Sequence, residues 1–231
     1  MDMRFMCWVP ESGYEWGMLK GDRQLRWTEE KQGGYAKGVQ PPPGLFRRFA
    51  GLRAEAANGE AEILGFANQF GDILSVPGSE SYQNSVNAGR RTVRKYATLN
   101  MWRIQVRRMR WAVELWDRLK NANESESQSM RDELLKGMRR VLCDMETPSC
   151  TIPSLSKELK LVLIPTNLLA SMWLTLAQVV SGDIEERPCS MFENCHSYLY
   201  IGNGPGLKKR GDVDTCSAAC RKQKSRLSIG G

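Results

Sequence analysis

Residues 189–195 read Cys-Ser-Met-Phe-Glu-Asn-Cys and residues 216–220 read Cys-Ser-Ala-Ala-Cys, with twenty residues between the two pairs. The two cysteines of each pair are close together along the chain, so each pair can supply two sulfur ligands to one ion. Zinc in structural sites prefers four such ligands in a tetrahedron, and paired cysteines separated by this distance are typical of zinc sites. The sequence therefore predicts a zinc site formed by Cys189, Cys195, Cys216 and Cys220.

The cysteines are interpreted as metal ligands because we expect the chain to be cytoplasmic, where thiols stay reduced. The N-terminus lacks the basic start and apolar run of a signal peptide. The most apolar region, residues 161–180, is interrupted by Pro165 and by several polar residues, so no membrane span is predicted. A redox switch and a cluster of unrelated thiols remain open as alternatives for the four cysteines. Isolated, packed or partly exposed thiols are expected at Cys7, Cys143 and Cys150.

The pattern around the cysteines predicts a small module over residues 183–231. Cys216 and Cys220 are four residues apart, which places both thiols on one face of a first helical turn. Tyr198–Ile201 is predicted as a strand, and the Gly-Asn-Gly-Pro-Gly run at 202–206 as a turn. A knuckle, a hairpin and a short helix together predict a treble-clef-like fold, which needs its metal for stability because it is so small.

His196 is the single histidine of the chain, and this limits the catalytic arrangements that the chain can form. Adjacent side chains rarely reach the same metal, so His196 is expected to lie beside the site, with Cys195 as the ligand. One histidine leaves no Ser-His-Asp arrangement, and the glycines at 202–206 lack the strand-to-helix context of a phosphate-binding loop. Four sulfur ligands also leave no open position for a reactive water. We therefore expect no enzymatic activity.

The rest of the chain is dominated by helical periodicity. Residues 1–40 are predicted to hold a small β segment with short strands at 4–9 and 24–28, which a Pro-Pro-Pro-Gly run then ends. The predicted fold class is mainly α: a helical domain at 41–182, the small N-terminal β segment and the C-terminal zinc module. Apolar residues recur at helical spacing over 45–56, 63–70, 86–120, 129–142 and 165–181.

Two of these helices carry more specific predictions. A capping box at 129–132, Ser-Met-Arg-Asp, is predicted to begin the fourth of them. The helix over 86–120 is predicted to pair Glu114 with Arg110 and with Arg118 at helical spacing, and to bury one apolar stripe. The predicted stripe comprises Val93, Ala97, Met101, Ile104, Ala112, Leu115, Trp116 and Leu119.

The chain is basic, with 33 Lys and Arg against 26 Asp and Glu and a net charge of +7. Residues 84–120 hold ten cations and two acids, which is either a solvated helix face or a surface that faces nucleic acid. Residues 187–231 hold eight cations and three acids, and part of this charge can balance the negative charge of a zinc ion with four thiolates. A basic helix beside a basic turn can also contact phosphates. The nucleic-acid-binding residues predicted on this basis are Lys208, Lys209, Arg210, Arg221, Lys222, Lys224 and Arg226.

A family resemblance rests on several stretches of the chain. Phe-Arg-Arg-Phe-Ala-Gly-Leu at 46–52, Ile-Leu-Gly-Phe-Ala-Asn-Gln-Phe-Gly at 63–71 and the helical run at 166–180 are similar to the helical part of certain bacterial proteins. Arg-Pro-Cys at 187–189 and Thr-Cys-Ser-Ala-Ala-Cys-Arg-Lys at 215–222 resemble the C-terminal cysteine zinc finger of the same proteins. These proteins are distantly similar to the CGNR-type zinc-finger group, although this chain has Arg-Lys-Gln after its last cysteine. The resemblance implies a zinc module and a DNA-binding regulator.

Together these features predict a zinc-finger protein that binds nucleic acid, with duplex DNA as the expected partner and transcriptional regulation as the expected role. The alternative is a protein-interaction module in which zinc only holds a docking surface in shape. No membrane partner is expected. The sequence leaves open the oligomeric state, the target site and any ligand of the helical domain.

Overall fold

A computed structural model of the chain describes eight segments of it. They cover residues 7–28, 36–74, 97–143, 151–155, 161–165, 167–202, 207 and 213–229. The predictions made for Val93, for Cys150, for the side chain of Cys143 and for the turn beyond Gly202 lie outside the described residues.

Helices and short hairpins alternate along the described chain. The helices are α1 (Leu45–Ala50), α2 (Gly59–Phe70), α3 (Leu99–Leu119), α4 (Glu124–Cys143), α5 (Leu168–Ser181), α6 (Phe192–Cys195) and α7 (Ala218–Ile229). The strands are β1 (Cys7–Pro10), β2 (Tyr14–Leu19), β3 (Asp22–Trp27), β4 (Ala36–Val39), β5 (Thr151–Leu155), β6 (Leu161–Pro165), β7 (Glu185–Pro188) and β8 (Tyr198–Ile201). None of the helices in these segments combines the length and the apolar character that crossing a membrane requires.

The strands of the described segments form four separate two-stranded antiparallel sheets. β1 pairs with β4, β2 with β3, β5 with β6 and β7 with β8. The predicted N-terminal strands and helices are present, but α1 ends at Ala50 before residue 56, α5 begins at Leu168 after residue 165, and residues 86–96 lie outside the described residues. The hairpins β5–β6 and β7–β8 make the fold mixed α/β instead of mainly α. The run Leu-Val-Leu-Ile at 161–164 explains part of the difference, because aliphatic and β-branched residues favour strands over helices where Pro165 follows.

The N-terminal strands lie close to their predicted positions at 4–9 and 24–28 but belong to different sheets. β1 pairs with β4, whereas β3 returns directly onto β2. The turn between β2 and β3 is formed by Lys20 and Gly21, whose φ angles are 52° and 87°. Positive φ at both central residues is the geometry of a two-residue hairpin turn that matches the twist of its strands.

A single hydrophobic core joins the N-terminal strands to the helices. Phe49 of α1 lies with its ring centroid 5.5 Å from that of Phe66 in α2 and 5.8 Å from that of Trp102 in α3. Leu25 of β3 and Trp173 of α5 are fully buried in the same cluster. The predicted helices α1 and α2 thus contribute their apolar faces to the core, as their periodicity indicated.

The face that helix α3 buries overlaps the predicted stripe only in part. Met101 and Ile104 of that stripe are only partly buried, although Ala112 and Leu115 are buried as expected. Two apolar series overlap along this helix, and the series that contains the larger Trp102 faces the core because it removes more apolar surface from water. The fully packed side of the helix comprises Trp102, Val106, Met109, Ala112 and Val113.

Two cations of α3 donate hydrogen bonds to backbone carbonyl groups at and after the end of α1. Arg103 donates to the carbonyl oxygen of Ala54 at 3.1 Å, and Arg110 donates to that of Ala50 at 2.9 Å. The predicted ion pairs of Glu114 are absent from the described residues, because the Arg110 guanidinium is occupied at the end of α1. Positive charge there satisfies carbonyl groups that a helix end leaves unpaired. The exposed cations of α3 are Arg107, Arg108 and Arg118.

Helix α4 begins five residues before the predicted capping box at 129–132, so that prediction is wrong. Asn123 precedes the helix, and its side-chain oxygen accepts a hydrogen bond from the N–H of Glu126 at 3.0 Å. An asparagine in this position satisfies a free N–H group of the first turn, so the helix starts there and continues through Ser129. Leu134 and Met138 of α4 are buried on the side of the helix that faces the core.

Helix α5 ends where the sequence predicted. Asn167 caps its N-terminus by accepting a hydrogen bond from the N–H of Ala170 at 2.8 Å. Gly182 ends it in the left-handed conformation, with φ at 84°, a common end for helices because glycine carries no Cβ. The helix is therefore bounded by polar and glycine signals that are visible in the sequence.

A buried ion cluster connects the helices to the hairpin β7–β8. Glu186 of β7 has a side chain that is 1% exposed, and it accepts two hydrogen bonds of 2.6 Å from Arg47 of α1. Lys120, which follows α3, donates to the same carboxylate at 2.6 Å, and the hydroxyl of Tyr200 donates at 2.8 Å. Arg47 also binds the carboxylate of Asp117 through two hydrogen bonds. This cluster fixes β7 against α1 and α3.

We expect Glu186→Gln to lower the free energy of unfolding by about 3 kcal/mol, because it leaves Arg47 and Lys120 without their buried carboxylate. Urea denaturation followed by circular dichroism measures the change. Glu185→Gln is the matched control, since the side chain of Glu185 is 47% exposed and should change the stability little. Equal losses in the two variants would contradict the importance of the buried cluster.

The stability difference between the wild type and Glu186→Gln is expected to depend on pH. Burial alone would raise the pKa of Glu186, but hydrogen bonds from Arg47 and Lys120 outweigh it and lower the pKa from 4.5 to about 2. A carboxyl whose pKa falls on folding stabilises the protein above its ordinary pKa and loses this contribution as the pH drops. The stability difference between wild type and Glu186→Gln should therefore be full above pH 4.5 and shrink towards pH 2.

Candidate metal centre

The hairpin β7–β8 and helix α7 deliver the four cysteines to one place. Cys189 follows β7 directly, and Cys195 is the last residue of the one-turn helix α6. The chain then returns through β8, and residues 213–217 lead to α7. Cys216 lies two residues before α7 and Cys220 lies in its first turn. The two arms that the sequence predicted therefore meet.

The four sulfur atoms lie within 4.8 Å of one another. The Sγ atoms of Cys216 and Cys220 are 3.4 Å apart, and those of Cys195 and Cys216 are 3.9 Å apart. A tetrahedron with metal–sulfur distances of about 2.3 Å requires sulfur–sulfur separations of about 3.8 Å. The cluster therefore fits one ion with four thiolate ligands without large movement of the backbone.

Backbone groups orient the ligands. The N–H groups of Met191 and Cys216 point at the Sγ atom of Cys189, at 3.4 and 3.3 Å. The Oγ atom of Ser217 accepts a hydrogen bond from the N–H of Cys220 at 3.2 Å, which caps the N-terminus of α7. Amide groups that point at sulfur stabilise the thiolate form that a metal ligand needs.

The thiol pKa values differ within the cluster. Burial alone would raise the pKa of Cys189, but hydrogen bonds from the amides of Met191 and Cys216 outweigh it and lower the pKa to about 7. Burial and the adjacent Cys220 thiol raise the pKa of Cys216 to about 12. Four thiols this close cannot all lose their protons without a cation between them, so proton release and metal binding are linked.

Strand β8, which follows the first cysteine pair, has a partner that was not predicted. The partner of β8 is β7, which precedes Cys189, with Glu185 opposite Ile201. The first cysteine pair therefore lies in the connection of a hairpin, because Tyr198–Ile201 finds its partner upstream. The second strand of the predicted hairpin would lie beyond Gly202, outside the described residues, so the treble-clef fold stays a prediction.

His196 lies outside the group of metal-ligating side chains among the described residues. It ends α6 in the left-handed conformation, with φ at 48°, and its N–H donates to the carbonyl oxygen of Phe192 at 2.7 Å. Its ring meets the Phe192 ring edge to face, with the centroids 5.9 Å apart. The prediction that it is no ligand is consistent with this position.

Helix α7 presents its cations to solvent. All seven residues from 221 to 227 are exposed, and Cys220 is the buried residue of the helix among those whose side chains are described. Lys224 forms an ion pair with Asp214, whereas Arg221, Lys222 and Arg226 have no acidic partner within the described residues. The other three predicted phosphate contacts, Lys208, Lys209 and Arg210, lie outside the described part of the chain.

Two residues brace the metal centre that the sequence analysis did not single out. Arg187 donates to the carbonyl oxygen of Val213 at 2.7 Å, and the N–H of Ser190 donates to the carbonyl oxygen of Asp214 at 2.7 Å. These bonds tie the segment after Cys189 to the segment before Cys216. Both bonds end on backbone carbonyl oxygens, which every residue type carries, so the sequence gives no signal for them.

Comparison of the chain with protein-family models, curated proteins and solved structures gave no match. The geometry of the four cysteines therefore defines the class of this protein, a helical chain with hairpins and a C-terminal cluster that can hold a metal ion. The resemblance to CGNR-type proteins and the expected lack of enzymatic activity stay predictions.

We expect the purified protein to contain one metal ion per chain, and Cys220→Ser to remove it, because a hydroxyl is a poor ligand for a soft site. Elemental analysis after gel filtration measures the stoichiometry, and a chelator should lower the melting temperature of proteins that keep all four ligands and not that of Cys220→Ser. Cys7→Ala is the matched control, because Cys7 is buried in the core away from the cluster. Metal loss in the Cys7 variant alone would contradict the assignment.

Proposed function

We propose that the metal is zinc and that its role is structural. Four sulfur ligands suit zinc, and a site closed by four protein ligands leaves no position for a reacting water. A zinc ion with four thiolates carries a charge of −2, and Cys220 places part of this charge at the N-terminus of α7, where the helix dipole is positive. Zinc binding would then supply much of the free energy that folds residues 189–220.

Metal identity separates this proposal from an iron site with the same ligands. We expect elemental analysis to find zinc and the purified protein to be colourless, because zinc has a filled d shell. Replacement by Co²⁺ under reducing conditions should produce the visible absorption of a tetrahedral thiolate site. Bound iron with charge-transfer bands would overturn the zinc proposal while leaving the four-cysteine site in place.

We further propose that the C-terminal module binds nucleic acid, with duplex DNA as the partner and transcriptional regulation as the role. The observation that carries the proposal is the exposure of α7 from residue 221 to residue 227, with three cations that have no acidic partner within the described residues. A helix that buries no apolar face beyond its first turn gains nothing from packing, so its exposed charge points to a partner outside the chain. The resemblance to the CGNR-type group supports the same partner.

The chemistry favours backbone contacts over base recognition. Lys222 and Arg226 are four residues apart, which places them on one face of α7, and Arg221 lies beside them. Side chains of this kind neutralise phosphates and release counterions, and this gives affinity that depends on salt and little on sequence. The metal centre would act on binding indirectly, by holding the start of α7.

We expect Arg221→Gln, Lys222→Gln and Arg226→Gln together to weaken binding of a fluorescent DNA duplex and to reduce the slope of log K against log salt by about 2.7, since each lost phosphate contact removes about 0.9. Fluorescence anisotropy at several salt concentrations measures both effects. The matched control removes the same charge from α3, through Arg107→Gln, Arg108→Gln and Arg118→Gln. Binding that is absent, insensitive to salt or equally reduced by both triple variants would reject α7 as the DNA contact.

The alternative function is a protein-interaction module with a structural zinc site. It predicts a partner whose binding survives loss of the α7 cations and has a weak salt dependence. The salt titration therefore distinguishes the two functions, because only phosphate contacts give the steep slope.

A further inference from the structure

A long apolar groove runs between α4, α5 and the C-terminal end of α3. It has a volume of about 1290 Å³ and is open along one side. The groove is remote in the sequence from the basic helix α7, and the proposed DNA contact does not use it. Its apolar lining includes Trp116, Leu119, Leu134, Met138, Leu174 and Val180.

One lip of the groove has a regular pattern of exposed residues. Arg131, Leu135 and Arg139 of α4 follow one another at intervals of four residues, so they share one side of the helix. Leu135, between the two cations, is 49% exposed and borders the apolar lining of the groove. Neither arginine has an acidic partner within the described segments. The lip therefore offers an apolar anchor and two free positive charges.

The other end of the groove carries negative charge. Glu124 begins α4 and Asp183 follows α5, and both line the groove. Asp183 accepts a hydrogen bond from Ser181 at 2.7 Å, so part of its charge is already used inside the chain. Within the described segments, Arg131, Arg139 and Glu124 line the groove without an ion-pair partner, and the two cations lie together on the α4 lip.

The spacing of the arginines selects the kind of occupant. Eight residues of α-helix rise about 12 Å, so the two cations are spread along the lip of the groove. The volume also exceeds the range of about 300–1,000 Å³ that is usual for small-molecule sites. An α-helix laid along the groove places acidic residues at i and i+7 or i+8 about 10–12 Å apart, which matches the arginines.

We propose that this groove binds an amphipathic helix of a protein partner, with apolar residues facing the groove floor and acidic residues facing Arg131 and Arg139. Leu135 sits between the two contacts and is the central apolar anchor of the interface. Burying it together with the groove floor provides the main free energy, and the arginines select an acidic partner over a basic one.

The proposal is tested with two designed peptides of eighteen residues. Both carry the same leucine face, and one edge of the helix carries Glu in the first peptide and Lys in the second. We expect the full-length protein to bind the Glu peptide and not the Lys peptide, measured by fluorescence anisotropy. Arg131→Glu with Arg139→Glu should weaken the Glu peptide at least about tenfold and strengthen the Lys peptide.

Two further variants make the outcome specific. Leu135→Ser should weaken the Glu peptide by about tenfold without changing the circular dichroism spectrum, because Leu135 is half exposed. Arg107→Glu with Arg108→Glu is the matched charge control on α3 and should change neither peptide's affinity. Equal binding of both peptides, or Glu-peptide binding that survives the two lip substitutions, would overturn the proposal.

Two other occupants of the groove would give different results in the same experiments. Saturable binding of decanoate with no binding of the Glu peptide would identify a small amphiphile site and overturn the helix proposal. Self-association that Leu135→Ser abolishes, seen by sedimentation without any peptide binding, would identify a second copy of the chain and overturn it as well.

Discussion

The carboxylate of Glu186 is the contact on which the placement of the metal centre depends. It lies on β7, three residues before Cys189, and binds Arg47 of α1 and Lys120 at the end of α3. The ring of Tyr198 on β8 stacks against the Arg47 guanidinium at 4.2 Å, so both strands of the hairpin contact the same cation. A charge cluster that is shielded from water is sensitive to the loss of any member. The hairpin that carries the first two cysteines is thus attached to the helical core by strong polar contacts.

The features that the sequence predicted best are those with local signals. The apolar spacing and the bounding residues Asn167 and Gly182 define α5, and the cysteine pairs define the cluster. The cluster is predictable because sulfur ligands of one ion must lie close together, whatever fold brings them there. The strand at Tyr198–Ile201 was also predicted from its residue types.

What the sequence did not predict depends on contacts between distant segments. The strand partner of β8 lies before the first cysteine, and pairing between strands leaves no pattern in a single strand. Helix α3 has two overlapping apolar series, and only the packing of Trp102 against Phe49 and Phe66 selects one of them. Glu114 lies four residues from Arg110, but Arg110 binds a carbonyl group at the end of α1 instead. Each of these choices is tertiary, so spacing along the chain does not reveal it.

The one-sided attachment of α7 has a consequence for recognition. Cys220 is the buried anchor of this helix, and every side chain after it that the structure describes up to residue 227 faces solvent. A polyanion that approaches the helix meets cations whose direction was set when the chain folded, so little ordering remains at the moment of contact. An ion held by the four cysteines would fix the start of α7 and with it the direction in which these cations point. Metal binding would in that case decide whether the positive charge of this segment forms an oriented surface.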